Sequence, residues 1–160
     1  SRYVYALIMS DRAKEAYRYA KGLIDYYSSV FDGDTLQYSD ALLDVGLAFA
    51  SARYEDCTEF YKLVQDMLEK EGLTDSLPYA KLMNLVGAYL GNFHEKWDGA
   101  LSYFVKAKDI MESISKEEDA LYKQVLENIE YANSEEQKEF DKLIANLADV
   151  INNSGDDSNE

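Results

Sequence analysis

The chain reads as an all-α protein made of antiparallel helix pairs stacked in series. Three observations point there. Breakers are few, with one proline and eight glycines in 160 residues. A strand-and-turn protein would show turn signals every 8–12 residues or so. The apolar residues recur at helical spacing along almost the whole chain. One short pattern, small-x3-aromatic-x2-small, appears three times at a period of about 43–44 residues.

The spacing is clearest at Cys57, Phe60, Tyr61, Val64, Met67 and Leu68, which form one stripe on a 3.6-residue period. Ala100, Tyr103, Phe104, Ala107, Ile110, Met111 and Ile114 repeat it. Residues 79–90 are apolar on more than one side, as a helix covered on two faces must be. Helices are predicted over 12–31, 36–51, 55–71, 77–91, 96–114, 117–132 and 135–151, with 2–9 a frayed remnant of another.

Boundary signals agree with these spans. Gly33 ends the first long helix, and Asp34 or Thr35 caps the next. Gly72 followed by Leu73 has the form of a C-terminal glycine with its hydrophobic contact. Ser76 and Pro78 open the helix after it. Ser115-Lys116-Glu117-Glu118 and Ser134-Glu135-Glu136-Gln137 both fit a capping box. The polar, acidic stretch from Asn152 reads as a disordered tail, leaving residues 1–151 as one helical-repeat domain. The chain starts mid-pattern without an initiator Met, and is read as beginning inside a longer protein.

The three repeated segments are Ala13-x3-Tyr17-x2-Ala20, Cys57-x3-Tyr61-x2-Val64 and Ala100-x3-Phe104-x2-Ala107. A small residue lets two helices approach, and the aromatic fills the space between pairs. The preceding helices also match when Leu42–Phe49 is set beside Leu82–Tyr89. Each is followed by an aromatic–acid pair, Tyr54-Glu55 and Trp97-Asp98.

On these residues the chain resembles the tetratricopeptide-repeat family. The matching positions are Val45, Gly46, Phe49, Tyr54, Cys57, Tyr61 and Val64, then Leu85, Val86, Tyr89, Trp97, Ala100, Phe104 and Ala107. The resemblance is good over 36–114, covers 11–31 as a second helix only, and is weak over 117–151. The usual repeat is 34 residues, so the chain is most similar to the family's longer-repeat subgroup. The resemblance implies a right-handed superhelix of helix pairs and a protein- or peptide-binding scaffold. It also implies that the first helix of each pair lines a concave face. That face falls near Leu43, Leu47, Ala50 and Ser51, then Met83, Gly87, Leu90 and Gly91. The family's clamp for a C-terminal carboxylate needs Lys, Asn and Arg at such places, and these positions lack them. The apolar trough suits a helical or extended apolar peptide, unless the helix at 135–151 covers it.

A net charge of −15 repels nucleic-acid phosphate and anionic lipid head groups, so both are set aside as partners. The first 31 residues carry a balance of +2, leaving −17 for the rest. No run of 18 apolar residues exists to span a membrane. A cytoplasmic location is expected. Oligomeric state is left open.

No enzymatic chemistry is expected, and no cofactor or metal. His94 is the only histidine, placed in an expected exposed turn at 92–96, and Cys57 the only cysteine. The two cannot make a transition-metal site. Cys57 occupies a small-residue packing position and is read as a buried thiol. Acidic pairs at 117–119 and 135–136 fit the first turns of helices. Of the 14 tyrosines, Tyr17, Tyr61, Tyr89 and Tyr103 fall on packing stripes, and Tyr19, Tyr26, Tyr27 and Tyr38 are open to packing or partner contact. A second functional class stays open: a ligand- or peptide-sensing regulatory domain of a larger signalling or transcription-regulating protein.

Overall fold

The computed structural model describes the backbone of residues 2–154 and the side chains of residues 2–147. Among the described residues it is all-helical. The helices are α1 (Arg2–Met9), α2 (Ala13–Val30), α3 (Thr35–Ser51), α4 (Cys57–Lys70), α5 (Leu77–His94), α6 (Trp97–Ser113) and α7 (Ala120–Ser154). Consecutive helices pack as α1/α2, α3/α4 and α5/α6, and α7 closes on α6. The first helices of the pairs also touch in series, α1 to α3, α3 to α5 and α5 to α7.

Several boundaries differ from the sequence expectation. Residues 2–9 are not a remnant. Val4, Leu7 and Ile8 are buried, and they anchor α1 to the main core. The expected helices 117–132 and 135–151 are one helix, about 50 Å long at 1.5 Å per residue. Ser134 therefore caps nothing: it lies inside α7, and in the turns that follow Lys138 pairs with Glu135 at 2.6 Å and Gln137 donates to Asp141 at 2.8 Å. Ser115 is not an N-cap either. It sits at φ 55°, ending α6, while the Asp119 carboxylate accepts from the Leu121 N–H at 2.9 Å. His94 is the last residue of α5 rather than part of a turn, and only Glu95 and Lys96 separate α5 from α6. Of the expected tail, 152–154 belong to α7 and 155–160 lie outside the described residues.

The observed caps explain the rest. Asp34 accepts from the Gln37 N–H at 3.0 Å, and Ser76 from the Tyr79 N–H at 3.4 Å. Four helices end on one device. A residue with positive φ (Asp11, Arg53, Gly72 or Ser115) bonds back three residues, and the next N–H reaches back five. This is the Schellman closure, which satisfies two terminal carbonyls.

The pair geometry rests on glycine. At Gly46 an added Cβ would lie 2.7 Å from Tyr61 Cε1, and at Gly87 2.6 Å from Phe104 Cε1. Each aromatic of the second helix thus presses against the bare backbone of the first. The same pairing recurs at Gly91, where Trp97 presses as closely. Gly91 meets Trp97 while Gly87 meets Ala100 and Phe104, so α5 and α6 run antiparallel.

Polar links tie neighbouring pairs. Tyr17 donates to Glu59 at 2.9 Å, and Lys21 pairs with the same carboxylate. Lys81 on α5 bridges Asp40 and Asp44 on α3, each at 2.7 Å. Burial pulls the Lys81 ammonium down, but the two carboxylates outweigh it and its pKa is raised. Asn84 is buried on α5 and accepts from the Asn128 amide of α7 at 2.8 Å.

Candidate functional site

A cleft of about 280 Å³ opens between α3 and α5. Its α3 wall is Leu47, Ala50 and Ser51, and its α5 wall is Leu85, Ala88, Tyr89, Asn92 and Phe93. The space follows from residue size. Ala50, Ser51 and Ala88 lie where larger side chains would close the helices together. Arg53 forms the rim. Its left-handed backbone (φ 61°) turns the chain out of α3, and its guanidinium lies 5.6 Å from the Phe93 ring centre. It also donates to the Asn92 carbonyl at 3.1 Å. Tyr89 continues the aromatic rim, with Phe93 and His94 both 4.9 Å away.

Tyr61 from α4 completes the lining. One edge of its ring, at Cε1 and Cδ1, lies against Gly46. The hydroxyl is buried, and no partner among the described residues reaches it. Burial raises its pKa, with the neighbouring Cys57 thiol adding to the shift, so it stays a phenol.

The expected concave residues divide. Leu47 (40% exposed), Ala50 and Ser51 line the cleft. Leu43 and Met83 are core residues, and Gly87 lies under Phe104. Leu90 turns toward Gly99 of α6, and Gly91 lies under Trp97. The reason is a one-residue shift in register. The structure pairs Gly46 with Gly87 rather than with Val86, because those two glycines meet the equivalent aromatics. In that register Leu47 corresponds to Ala88 and Ser51 to Asn92, and all four line the cleft. The two glycines were the signal in the sequence that sets this register.

The repeat-packing positions are placed as follows. Ala20, Gly46, Phe49, Cys57, Tyr61, Val64, Ala100, Phe104 and Ala107 are buried. Ala13, Tyr17 and Tyr89 are half-buried, and Ala16 rather than Ala13 joins Ala20 as a fully covered small residue of α2. Phe49 stacks on Phe60 at 5.8 Å, and Tyr17 meets Phe49 edge-on from the neighbouring pair. Tyr19 and Tyr26 are exposed. Tyr27 and Tyr38 pack against the core, and Tyr38 donates to the Ile24 carbonyl at 3.3 Å.

Among the described residues α7 neither lines this cleft nor touches α3. Its outer half carries a second surface. Phe140, Leu143, Ile144 and Leu147 are each more than half exposed and fall at i, i+3, i+4 and i+7. Between the two surfaces lies a polar hollow of about 420 Å³, flanked by Trp97, Tyr131, Glu135 and Lys138.

No group of three metal-ligating side chains is present among the described residues, and no described helix is long and apolar enough to cross a membrane. Burial, with Asp56 and Glu55 nearby, pushes the Cys57 thiol up to about 11. No protein-family model, curated protein or solved structure matches the chain, so the candidate site stands on its own geometry.

Proposed function

We propose that the chain is a protein-binding helical-repeat module, its helix pairs stacked into a right-handed superhelix of the tetratricopeptide type. The serial contacts of α1, α3, α5 and α7 support the stack, as does the repeated seating of an aromatic on glycine. One observation carries the binding role: the stripe Phe140, Leu143, Ile144 and Leu147 on the outer half of α7. Contiguous exposed apolar surface marks an interaction site, and here it stands on a strongly acidic chain. Its spacing is that of one helix laid against another. Glu135, Glu136, Glu139 and Asp141 flank the stripe, so a partner helix with basic edges fits it best. Repulsion of phosphate by a −15 chain keeps nucleic acid out of this role.

The test is a Phe140→Asp/Leu147→Asp double variant. Both side chains are exposed, so helicity and melting temperature stay close to wild type. Self-association by sedimentation equilibrium and affinity capture of partners are compared between the two proteins. The reading expects an association that wild type shows and the double variant loses. Identical assembly states and identical captured proteins would remove it.

A further inference from the structure

The helix pairs run in one series, and both ends of the series are bare. Among the described residues α1 and α2 touch only each other and α3, while α7 touches only α5 and α6. A stack of this kind needs a polar outer face at each end to stay soluble on its own. Neither end has one. At the far end stands the α7 stripe of Phe140, Leu143, Ile144 and Leu147. It continues a face that is already covered: Val125, Ile129 and Ala132 pack into the stack, and the same helical period carries their line on to Phe140, Leu143 and Leu147. At the near end Tyr19, Tyr26 and Val30 are exposed on α2 at i, i+7 and i+11, with half-buried Leu23 at i+4 between them. Tyr3 of α1 widens this face, its ring edge-on to Tyr19 at 4.8 Å.

Charge selects the occupant. The first 31 residues balance to +2, and residues 133–154 to −3. Among the described residues Arg2, Lys14 and Arg18 stand in no ion pair at the near end, nor do Glu136 and Asp141 beside the stripe. Arg18 borders the same hollow as Tyr3 and Tyr19. Of the two lysines beyond Ser134, Lys138 is taken by Glu135, and Lys142 lines the hollow by Trp97. The net −15 works against two copies meeting. At physiological salt, however, exposed charges more than about 8 Å apart are largely screened, so the charges at the contact decide. We infer that the α7 stripe receives a second copy of this chain, docked head to tail by its α1/α2 end, so that one stack continues into the next. Tyrosine and arginine, which the near end offers, are enriched at such contacts. At 1.5 Å per residue the stripe runs for about 10 Å and the α2 face for about 16 Å, so one helix lies along the other. The two faces differ, so the contact is heterologous. It is also small, so the association is weak. The inference rests on the α7 stripe being a binding face and names what binds it.

The experiment follows the average mass of the full chain by sedimentation equilibrium from about 5 to 500 µM, a range that reaches the weak affinity of so small a contact. Wild type should grow heavier with concentration. Tyr19→Asp/Tyr26→Asp spoils the near end and Phe140→Asp/Leu147→Asp the far end. All four positions are exposed, so helicity and melting temperature should stay close to wild type. Each variant alone should stay monomeric, because it keeps only one kind of working end. An equimolar mixture of the two should form a one-to-one complex, which misfolding of either could not produce. A wild type that stays monomeric at every concentration would overturn the inference, as would a mixture that stays monomeric. So would a Tyr19→Asp/Tyr26→Asp protein that still associates, since that assigns the stripe to α7 meeting α7. Failure of the underlying reading looks different. A monomeric wild type whose stripe variant loses a captured partner keeps the stripe as a binding face and removes only the second copy. A stripe variant that loses neither association nor partner removes both.

Discussion

The Tyr61 ring lies against the bare α-carbon of Gly46, so close that a β-carbon there would come within 2.7 Å of Cε1. Alanine normally favours a helix over glycine by about 1 kcal/mol, so Gly46→Ala sets two effects against each other. Overpacking a buried position costs about 1–3 kcal/mol, and the neighbour here is a ring pinned on both sides. The steric effect wins, and Gly46→Ala lowers stability by about 1–2 kcal/mol. Gly87→Ala is worse, because the Ala100 carbonyl, which is backbone, also stands 3.0 Å away. Gly22 is the control. It is exposed in mid-α2 with nothing within 4 Å, so Gly22→Ala stabilises by up to about 1 kcal/mol. Urea unfolding of the three variants checks the order. A Gly87→Ala protein as stable as wild type would refute the glycine-seat account of helix pairing.

Ser115 holds a left-handed backbone at φ 55° with no glycine to ease it. Such a conformation costs an ordinary residue about 1–2 kcal/mol, and Ser115 is exposed with only its backbone in use. Ser115→Gly is therefore expected to stabilise by about 1 kcal/mol, raising the midpoint by about 2–4 °C for a chain of this size. Gly72→Ala, at φ 71°, should do the opposite. Thermal melts read both signs, and a destabilised Ser115→Gly would show that the serine side chain matters there.

The helix content was legible because period-3.6 apolar spacing needs no tertiary knowledge. The site was less so. Counting Leu42–Phe49 against Leu82–Tyr89 matches apolar to apolar along both segments, yet it is one residue out. Helices covered on two faces are apolar nearly all round, so their pattern does not fix rotation. The glycines do, since each must sit under an aromatic. Ser134-Glu135-Glu136-Gln137 misled for a related reason. A capping box is a local signal, and the i,i+3 and i,i+4 side-chain pairs that follow it serve a continuing helix as well as a new one. The free hydroxyl of Tyr61 had no signature, because whether a phenol finds a partner depends on what the fold brings near it.

Asn84 is 2% exposed and takes its hydrogen bond from Asn128 on α7. Removing one partner leaves a buried polar group unmet, at about 1–3 kcal/mol. Removing both with apolar residues of similar shape restores much of that. Asn128→Ala is expected to destabilise by about 2 kcal/mol. The Asn84→Leu/Asn128→Leu pair should cost less than the sum of its single changes. A double-mutant cycle by chemical denaturation measures the coupling. Strict additivity would mean the pair does not join α5 to α7.

Cys57 gives the alkaline behaviour. Its thiol is fully covered, and burial first, then the Asp56 and Glu55 charges, move its pKa from an ordinary 9.0 to about 11. Above pH 9 the unfolded chain has lost this proton while the folded chain keeps it. The folded state then binds more protons, so stability falls as pH rises. The window runs from about 9 to 11, and the loss is of order 2–3 kcal/mol. Tyr61 shifts in the same direction, so the thiol's share must be read by difference. Cys57→Ala removes it. Ala100 occupies the equivalent place in the next pair, so the substitution fits the fold. Denaturation midpoints at pH 8 and pH 10.5 should fall less in Cys57→Ala than in wild type. In native protein at pH 8 the thiol should also resist a disulfide-exchange reagent until the chain opens, since the reactive thiolate is absent and the sulfur is covered. Reaction at the rate of a free thiol would place Cys57 outside the core and end this argument.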